Sequence, residues 1–161
     1  MIFDVDGVLT DGTLWYGRSG EALKAFHALD GHGIKMLRAS GVRCALLSGR
    51  RSPAVTARAA ELGVEEVLQG VEDKREEYER LLARAGLKPA QAGFMGDELV
   101  DLPVLVRCGF ACAPGEAPET VRRRAHYVSA ARAGRGAARE VCEVLMQAQG
   151  TLERLIQGYL A

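Results

Sequence analysis

The sequence predicts an α/β fold built on a doubly wound parallel sheet with helices on both faces. Short apolar runs rich in β-branched residues alternate with longer stretches of helical periodicity, which is typical of βαβ units. The chain has 161 residues, 48% of them hydrophobic, which is enough to fill one sizeable core. We therefore expect residues 1–161 to form a single domain of the Rossmann-like type.

Six strands and six helices are expected in alternation along the chain. The predicted strands are Ile2–Val5, Val42–Leu47, Glu66–Leu68, Gly93–Met95, Phe110–Ala113 and Tyr127–Val128. The predicted helices are Gly33–Ala39, Pro53–Leu62 with proline in its first turn, Asp73–Ala85, Leu102–Arg107, Pro118–Arg124 and Gly136–Gln149. Only three residues precede the first acidic motif, so either the natural chain begins upstream of Met1 or the first strand is unusually short.

Two segments depart from this alternation. Strand-like arms at Thr13–Tyr16 and Glu21–His27 enclose Gly17-Arg18-Ser19-Gly20, which predicts a β-hairpin over about residues 13–27, projecting after the first strand. The tail, about residues 150–161, is more apolar than a free tail should be. We expect both segments to contact a partner subunit.

Charge and composition argue against several classes of partner. Lys plus Arg and Asp plus Glu number 21 each, so no global field attracts nucleic acid or a membrane surface, and the basic run Arg122–Arg124 is interpreted as a solvated helix end. The four cysteines lack zinc-site spacing and indicate buried thiols in a reducing cytoplasm. No stretch of eighteen apolar residues occurs, so we expect a cytoplasmic protein without a membrane segment.

His27 and His32 are interpreted as packing or solvated residues, because nothing near them has metal-ligand spacing.

The main chemical signal is the pair Asp4 and Asp6, which flank Val5 at the carboxyl end of the first strand. Ligands of doubly wound sheets bind beyond this edge. Strand alternation places both carboxylates on one side, where they repel unless a cation neutralises them or one carries a proton. Carboxylates, waters and phosphate oxygens are the ligands that Mg²⁺ favours, so the pair predicts a magnesium site. The alternative is an Asp-rich turn that caps a helix.

Further candidates follow the next strands in order. The hydroxyl of Ser48 and nearby backbone amides can hold phosphate oxygens, although Ser-Gly also marks ordinary turns. Lys74 can neutralise a transferring phosphoryl group, although a lone lysine is more often solvated. Asp97 suits metal binding, and Asp101, one helical turn later, can orient Lys74.

The ordered set DxDGxxTDG, Ser-Gly, Lys and GDxxxD resembles the four motifs of the haloacid dehalogenase superfamily over nearly the whole chain. The resemblance implies that Asp4 attacks phosphorus and forms an aspartyl-phosphate, and that Asp6 serves as general acid and base. It implies a metal held by Asp4, the backbone carbonyl of Asp6, and Asp97. Because the two roles need opposite protonation states, we expect Asp6 to titrate higher than Asp4, whose charge Mg²⁺ and Lys74 would hold.

The spacing between motifs leaves no room for the large cap domain of most relatives, so we expect none. The chain resembles the capless 3-deoxy-D-manno-octulosonate 8-phosphate phosphatases at Lys24-Ala25-Phe26-His27, Asp30-Gly31 and Gly134-Arg135-Gly136-Ala137, among other positions. That resemblance implies a homotetramer assembled through the β-hairpins, with a neighbour's surface over each site. It also implies a phosphorylated sugar acid as substrate and a role in lipopolysaccharide biosynthesis.

The chain departs from that pattern at Ala28-Leu29, where the family has Val-Arg, and at Glu98, where it has Asp. Among the residues expected to bind substrate, Gly49, Arg50 and Asp101, we assign Arg50 to the substrate carboxylate, the alternative being a surface arginine near a turn. Two other functions remain open. One is a phosphatase for a different sugar acid phosphate, such as a nonulosonate 9-phosphate. The other is a non-catalytic tetrameric interaction domain.

Overall fold

Parallel strands form the centre of the fold in the computed structural model, which describes residues 1–18 and 20–160. In chain order the strands are β1 (Ile2–Phe3), β2 (Trp15–Gly17), β3 (Gly20–Leu23), β4 (Ala45–Ser48), β5 (Glu66–Gln69), β6 (Gly93–Met95), β7 (Phe110–Ala113) and β8 (Tyr127–Val128). Six of them make one sheet in the order β5-β4-β1-β6-β7-β8, and every neighbouring pair is parallel. The order runs outward in both directions from β1, which confirms the doubly wound prediction.

Helices cover both faces of this sheet. They are α1 (Ala28–Ala39), α2 (Pro53–Leu62), α3 (Lys74–Ala85), α4 (Leu102–Leu105), α5 (Glu119–Arg122), α6 (Ala137–Ala148) and α7 (Leu152–Leu160), with 3₁₀ turns at Pro89–Gln91 and Leu99–Asp101. Strand alternation divides the core: Leu46 and Met95 face α1, α2 and α6, whereas Leu47 and Phe94 face α3, α4 and α5. No large cap domain occurs within the described ranges, as expected.

The first strand is shorter than predicted, and the structure gives the reason. The Val5 carbonyl accepts hydrogen bonds from the backbone N–H groups of Val8, Leu9 and Thr10, at 3.3, 2.9 and 3.0 Å. This turn takes the chain out of the sheet after Asp4, whose own N–H still donates to the Met95 carbonyl at 2.9 Å. The predicted strand Ile2–Val5 was therefore wrong at its end.

The segment that follows the hairpin was also predicted inaccurately. Helix α1 begins at Ala28, five residues before the predicted Gly33, because His27 caps its N-terminus by accepting the Leu29 N–H at Nδ1. Strand β4 begins at Ala45 and not at Val42, because Val42 still bonds to the end of α1, donating to the Leu37 carbonyl at 3.3 Å. Proline in the first turn and a left-handed Gly63 at the end set α2 where predicted.

The predicted hairpin is present as the antiparallel pair β2–β3, which forms a sheet of its own. Both arms are shorter than the predicted Thr13–Tyr16 and Glu21–His27, and the pairing has a register shift between Trp15 and Tyr16. Ser19 of the predicted turn lies outside the described residues.

The tail forms helix α7 and packs on its own chain. Leu152 and Leu155 contact the core, and the Tyr159 hydroxyl lies 2.8 Å from Nε2 of His32. Ala161 lies outside the described residues. Within the described residues no helix is both long enough and apolar enough to cross a membrane.

Candidate active site

An open cleft of about 370 Å³ lies at the carboxyl ends of β1, β4 and β6. Its lining includes almost all of the predicted site residues, together with a few neighbours: Asp4, Asp6, Gly12, Leu14, Ser48, Gly49, Arg50, Lys74, Asp97, Glu98 and Val100. Parallel strands bring these residues together because their carboxyl ends share one edge of the sheet.

Lys74, the first residue of α3, forms the electrostatic centre of the cleft. Its Nζ lies 3.0 Å from Asp4 Oδ1 and 2.6 Å from Asp101 Oδ1, and its side chain is almost fully buried. Burial alone would lower the pKa of Lys74, but the two carboxylates raise it above its usual value. The lysine therefore stays charged beside Asp4.

Asp101 lies beneath this arrangement, with no exposed surface. Its Oδ1 accepts from Lys74, and its Oδ2 accepts the backbone N–H groups of Asp97 and Glu98 at 2.9 and 3.1 Å. These bonds occupy both oxygens and orient Lys74, as the sequence suggested. They favour a positioning role for Asp101 in place of the direct substrate contact that we expected.

Three carboxylates meet beside the lysine. Oxygens of Asp4, Asp97 and Asp101 lie within 4.8 Å of one another. Burial, with repulsion from Asp101, raises the pKa of Asp4 to about 7 against the opposing effect of Lys74. Burial, with repulsion from Asp4 and Asp101, raises the pKa of Asp97 to about 8. Lys74 alone therefore does not hold the pKa of Asp4 at its usual value.

The donor set fits a divalent cation. Asp97 Oδ1 is buried without a hydrogen-bond partner among the described residues, although such atoms are normally satisfied. Asp4 supplies a second carboxylate, and Mg²⁺ favours one or two carboxylates completed by water and phosphate oxygens. Gly7, with φ +82°, lets Asp97 approach closely, since a Cβ there would lie 2.1 Å from Asp97 Oδ2.

Asp6 faces a different partner from Asp4. Its carboxylate forms an ion pair with Lys24, which follows β3. The Asp6 carboxylate is not part of the acidic cluster. The turn after Asp4 ends the strand alternation that was expected to align the side chains of Asp4 and Asp6. The approach of Asp6 to a metal through its backbone carbonyl stays a prediction.

The phosphate-binding candidates lie at the end of β4. Ser48 is buried, and its Oγ accepts the backbone N–H of Arg50 at 3.3 Å, while Gly49 lines the cleft. The Arg50 guanidinium is exposed at the rim and donates to the Tyr16 hydroxyl of the hairpin at 3.1 Å. Arg50 is thus held by the hairpin, with its remaining donors available to a ligand.

Known proteins with this sequence pattern and fold were identified by comparison. The haloacid dehalogenase-like hydrolase family matches residues 21–109. The 3-deoxy-D-manno-octulosonate 8-phosphate phosphatase of Yersinia pestis is 42% identical over 95% of this chain and 82% of its own length. The chain belongs to the haloacid dehalogenase-like hydrolases. Within them it falls in the 3-deoxy-D-manno-octulosonate 8-phosphate phosphatase family, as the motifs predicted.

Two solved structures resemble this hydrolase closely. A probable YrbI family phosphatase from Pseudomonas syringae is 48% identical, with a TM-score of 0.97 over 99% of this chain and 91% of its own. The 3-deoxy-D-manno-octulosonate 8-phosphate phosphatase from Moraxella catarrhalis is 35% identical, with a TM-score of 0.95 over 98% of this chain and 91% of its own. That enzyme was crystallised with a magnesium ion, a phosphate ion and a KDO molecule. The capless α/β fold is therefore shared by this family.

Residue-by-residue reasoning missed two contacts in this phosphatase. Lys24 and Tyr16 both come from the hairpin, which the sequence indicated only as a surface for a partner subunit, yet they contact Asp6 and Arg50. The available signal was that Lys24 lies within the segment that carries the family resemblance.

Asp30 also has a role that the sequence did not indicate. It is buried and accepts the backbone N–H groups of Gly136 and Arg139 at 3.1 and 3.0 Å. It thereby joins the start of α1 to the start of α6.

Proposed function

We propose that this phosphatase is Mg²⁺-dependent, acts through an aspartyl-phosphate on Asp4, and converts 3-deoxy-D-manno-octulosonate 8-phosphate to the free sugar acid and phosphate. The observation that carries the proposal is the placement of Lys74 between Asp4 and Asp101, beside an Asp97 oxygen that has no hydrogen-bond partner in the described part of the chain. Residues 1–161 act as one hydrolase domain, because both core clusters pack against the same sheet.

Asp4, Asp97 and the backbone carbonyl of Asp6 would hold the ion, which supplies charge neutralisation for the clustered acids and the phosphoryl oxygens. In the first step an Asp4 oxygen forms a bond to phosphorus, the bond from phosphorus to the sugar oxygen breaks, and Asp6 donates a proton to that oxygen. In the second step water attacks phosphorus, Asp6 accepts its proton, and the bond to Asp4 breaks. Lys74 and Ser48 hold the phosphoryl oxygens during both transfers.

Recognition of a sugar acid depends on the rim of the cleft. Arg50 offers a planar, bidentate donor that matches a carboxylate, and Tyr16 restricts its position. The curated relatives carry the name of this substrate. Arg50→Lys keeps the charge but loses the fork, so we expect a raised KM for the sugar acid phosphate with little change in kcat.

The test is phosphate release from a panel that contains 3-deoxy-D-manno-octulosonate 8-phosphate and a nonulosonate 9-phosphate, with and without Mg²⁺. We expect the first substrate to be preferred and turnover to require the ion. Equal rates on both sugar acids would remove the narrow assignment. Asp4→Asn is the matched control: it is nearly isosteric and should abolish release while the protein stays folded. Activity surviving in Asp4→Asn would exclude Asp4 as the nucleophile.

Assembly forms a second part of the proposal. The hairpin exposes Trp15, Tyr16 and Leu23 by 56, 64 and 68% respectively, which favours burial against other copies of the chain. A homotetramer through the hairpins accounts for this surface. The paired substitution of Trp15 and Leu23 by Ser should reduce the sedimenting mass to that of smaller species, and an unchanged mass would refute the hairpin contact. The four free, buried cysteines support a reducing, cytoplasmic location.

A further inference from the structure

Lys24 occupies an unusual place for a hairpin lysine. Its side chain is only 1% exposed, although it directly follows the exposed strand β3. Its Nζ forms an ion pair with the Asp6 carboxylate and lies 3.2 Å from Glu21 Oε2. The hairpin thereby delivers a buried positive charge to the edge of the cleft.

The burial of the Lys24 side chain restricts which groups it can contact. A buried ammonium group is strongly destabilising unless acids pair with it, so Lys24 remains where Asp6 and Glu21 both reach it. Within residues 1–18 and 20–160, Lys24 is also the one side chain that hydrogen-bonds the Asp6 carboxylate. Removing the ammonium would therefore release that carboxylate to adopt other rotamers.

Each of the two acids in the proposed reaction has its own lysine. Lys74 contacts Asp4 and approaches from α3, whereas Lys24 contacts Asp6 and approaches from the hairpin. We propose that Lys24 is a positioning residue: it holds the Asp6 side chain through Oδ1, in the orientation in which a proton carried on Oδ2 is transferred to the leaving oxygen. This inference rests on the proposed function, because it takes Asp6 as the proton donor.

The consequence depends on the leaving group. A sugar alkoxide is a poor leaving group and needs a proton as its bond to phosphorus breaks, whereas a nitrophenolate leaves as a stable anion. A misplaced Asp6 should therefore slow hydrolysis of the sugar phosphate more than hydrolysis of p-nitrophenyl phosphate. A residue that only stabilised the hairpin would affect both substrates equally.

The experiment compares kcat/KM for the two substrates in wild type, Lys24→Met and Lys35→Met, with Mg²⁺ saturating. This ratio reports phosphoryl transfer to Asp4 and does not include the later hydrolysis step, in which Asp6 acts on the same intermediate for both substrates. Lys35 is an exposed lysine of α1 and serves as the control. We expect Lys24→Met to lower kcat/KM for the sugar phosphate by about 10-fold or more and that for p-nitrophenyl phosphate by less than about 3-fold. Lys24→Arg, which keeps a cation, should recover most of the wild-type ratio. Equal losses on both substrates, or no loss on either, would overturn the positioning role.

Two safeguards keep the result interpretable. The ratio of the two rates in one preparation does not depend on the fraction of folded enzyme, and Lys24→Gln replaces Lys24→Met if the latter yields no folded protein, with the same expectation and the same refuting outcome. Failure of the proposed function is seen separately, as a wild-type protein that releases phosphate from neither substrate.

Discussion

Substituting Gly7 by alanine tests the acidic cluster as a metal site. Gly7 has φ +82°, and a Cβ at this position would lie 2.1 Å from Asp97 Oδ2 and 2.5 Å from its Cγ. An ordinary contact begins at 3.4 Å, so the Asp97 carboxylate must move by at least about 1.3 Å. Metal–ligand distances tolerate only about 0.2 Å, so this displacement removes Asp97 as a ligand.

The expected result is a loss of Mg²⁺ affinity of about 10- to 100-fold or more, since even disturbance of outer-sphere partners has effects of that size. Calorimetric titration with Mg²⁺ measures the affinity directly. Phosphate release at increasing Mg²⁺ should show the same shift in the half-saturating concentration.

Gly12→Ala is the matched control for backbone strain. Gly12 has φ +78°, but a Cβ there meets its nearest atom, Gly7 Cα, at an ordinary 3.6 Å. Both variants should lose about 1–2 kcal/mol of stability from the left-handed backbone, a fall of a few degrees in Tm. Only Gly7→Ala should lose metal affinity. Equal Mg²⁺ affinities in the two variants would refute the role of Asp97 as a ligand.

Two further predictions concern buried carboxylates. Asp4 and Asp97 have folded-state pKa values of about 7 and 8, above the usual 3.8, so the metal-free folded protein holds protons that the unfolded chain releases. The Tm of the metal-free protein should therefore fall as pH rises from about 4 to 8. Mg²⁺ should raise Tm more at pH 8 than at pH 6, because the carboxylates that would bind it are then deprotonated. A Tm without this slope in calorimetry would contradict the assigned burial. Asp30→Asn loses one of two acceptors for the backbone of α6 and should cost about 1–3 kcal/mol in urea unfolding, whereas a change within error would show that the N–H groups find other partners.

Local patterns predicted several elements well. Strands β6, β7 and β8 match the predicted bounds, because short apolar runs between turn residues leave little freedom in where a buried strand begins. The sequence did not predict the start of α1, because the glycines near it are explained by packing against a distant helix. Gly31 and Gly33 look like helix breakers, yet Gly33 lies in the helix where α6 passes closely: a Cβ there would lie 2.9 Å from Arg139 Cα. Helix propensity is a property of single residues and does not include such a close approach between two helices.

The contacts of the candidate site likewise include some that the sequence predicts and some that only the folded chain shows. Lys74 and Asp101 were correctly paired from sequence, because both follow strands that end at the same edge of the sheet. The partner of Asp6 was not predictable, since Lys24 reaches it only after the hairpin folds back over the cleft. The role of Asp30 depends likewise on α1 and α6 lying side by side, although their bonded residues are more than a hundred positions apart.

The amino-acid sequence by itself determined the doubly wound sheet, the edge at which the acids gather and the family to which the chain belongs, because periodicity and motif order are properties of neighbouring residues. The tertiary structure alone decided which lysine faces which acid and where the first strand ends. It also decided that Asp97 has an oxygen beside Asp4 without a hydrogen-bond partner among residues 1–18 and 20–160. Burial and pairing arise when distant segments exclude water from one another. The raised pKa values of Asp4 and Asp97 consequently become visible only in the folded chain.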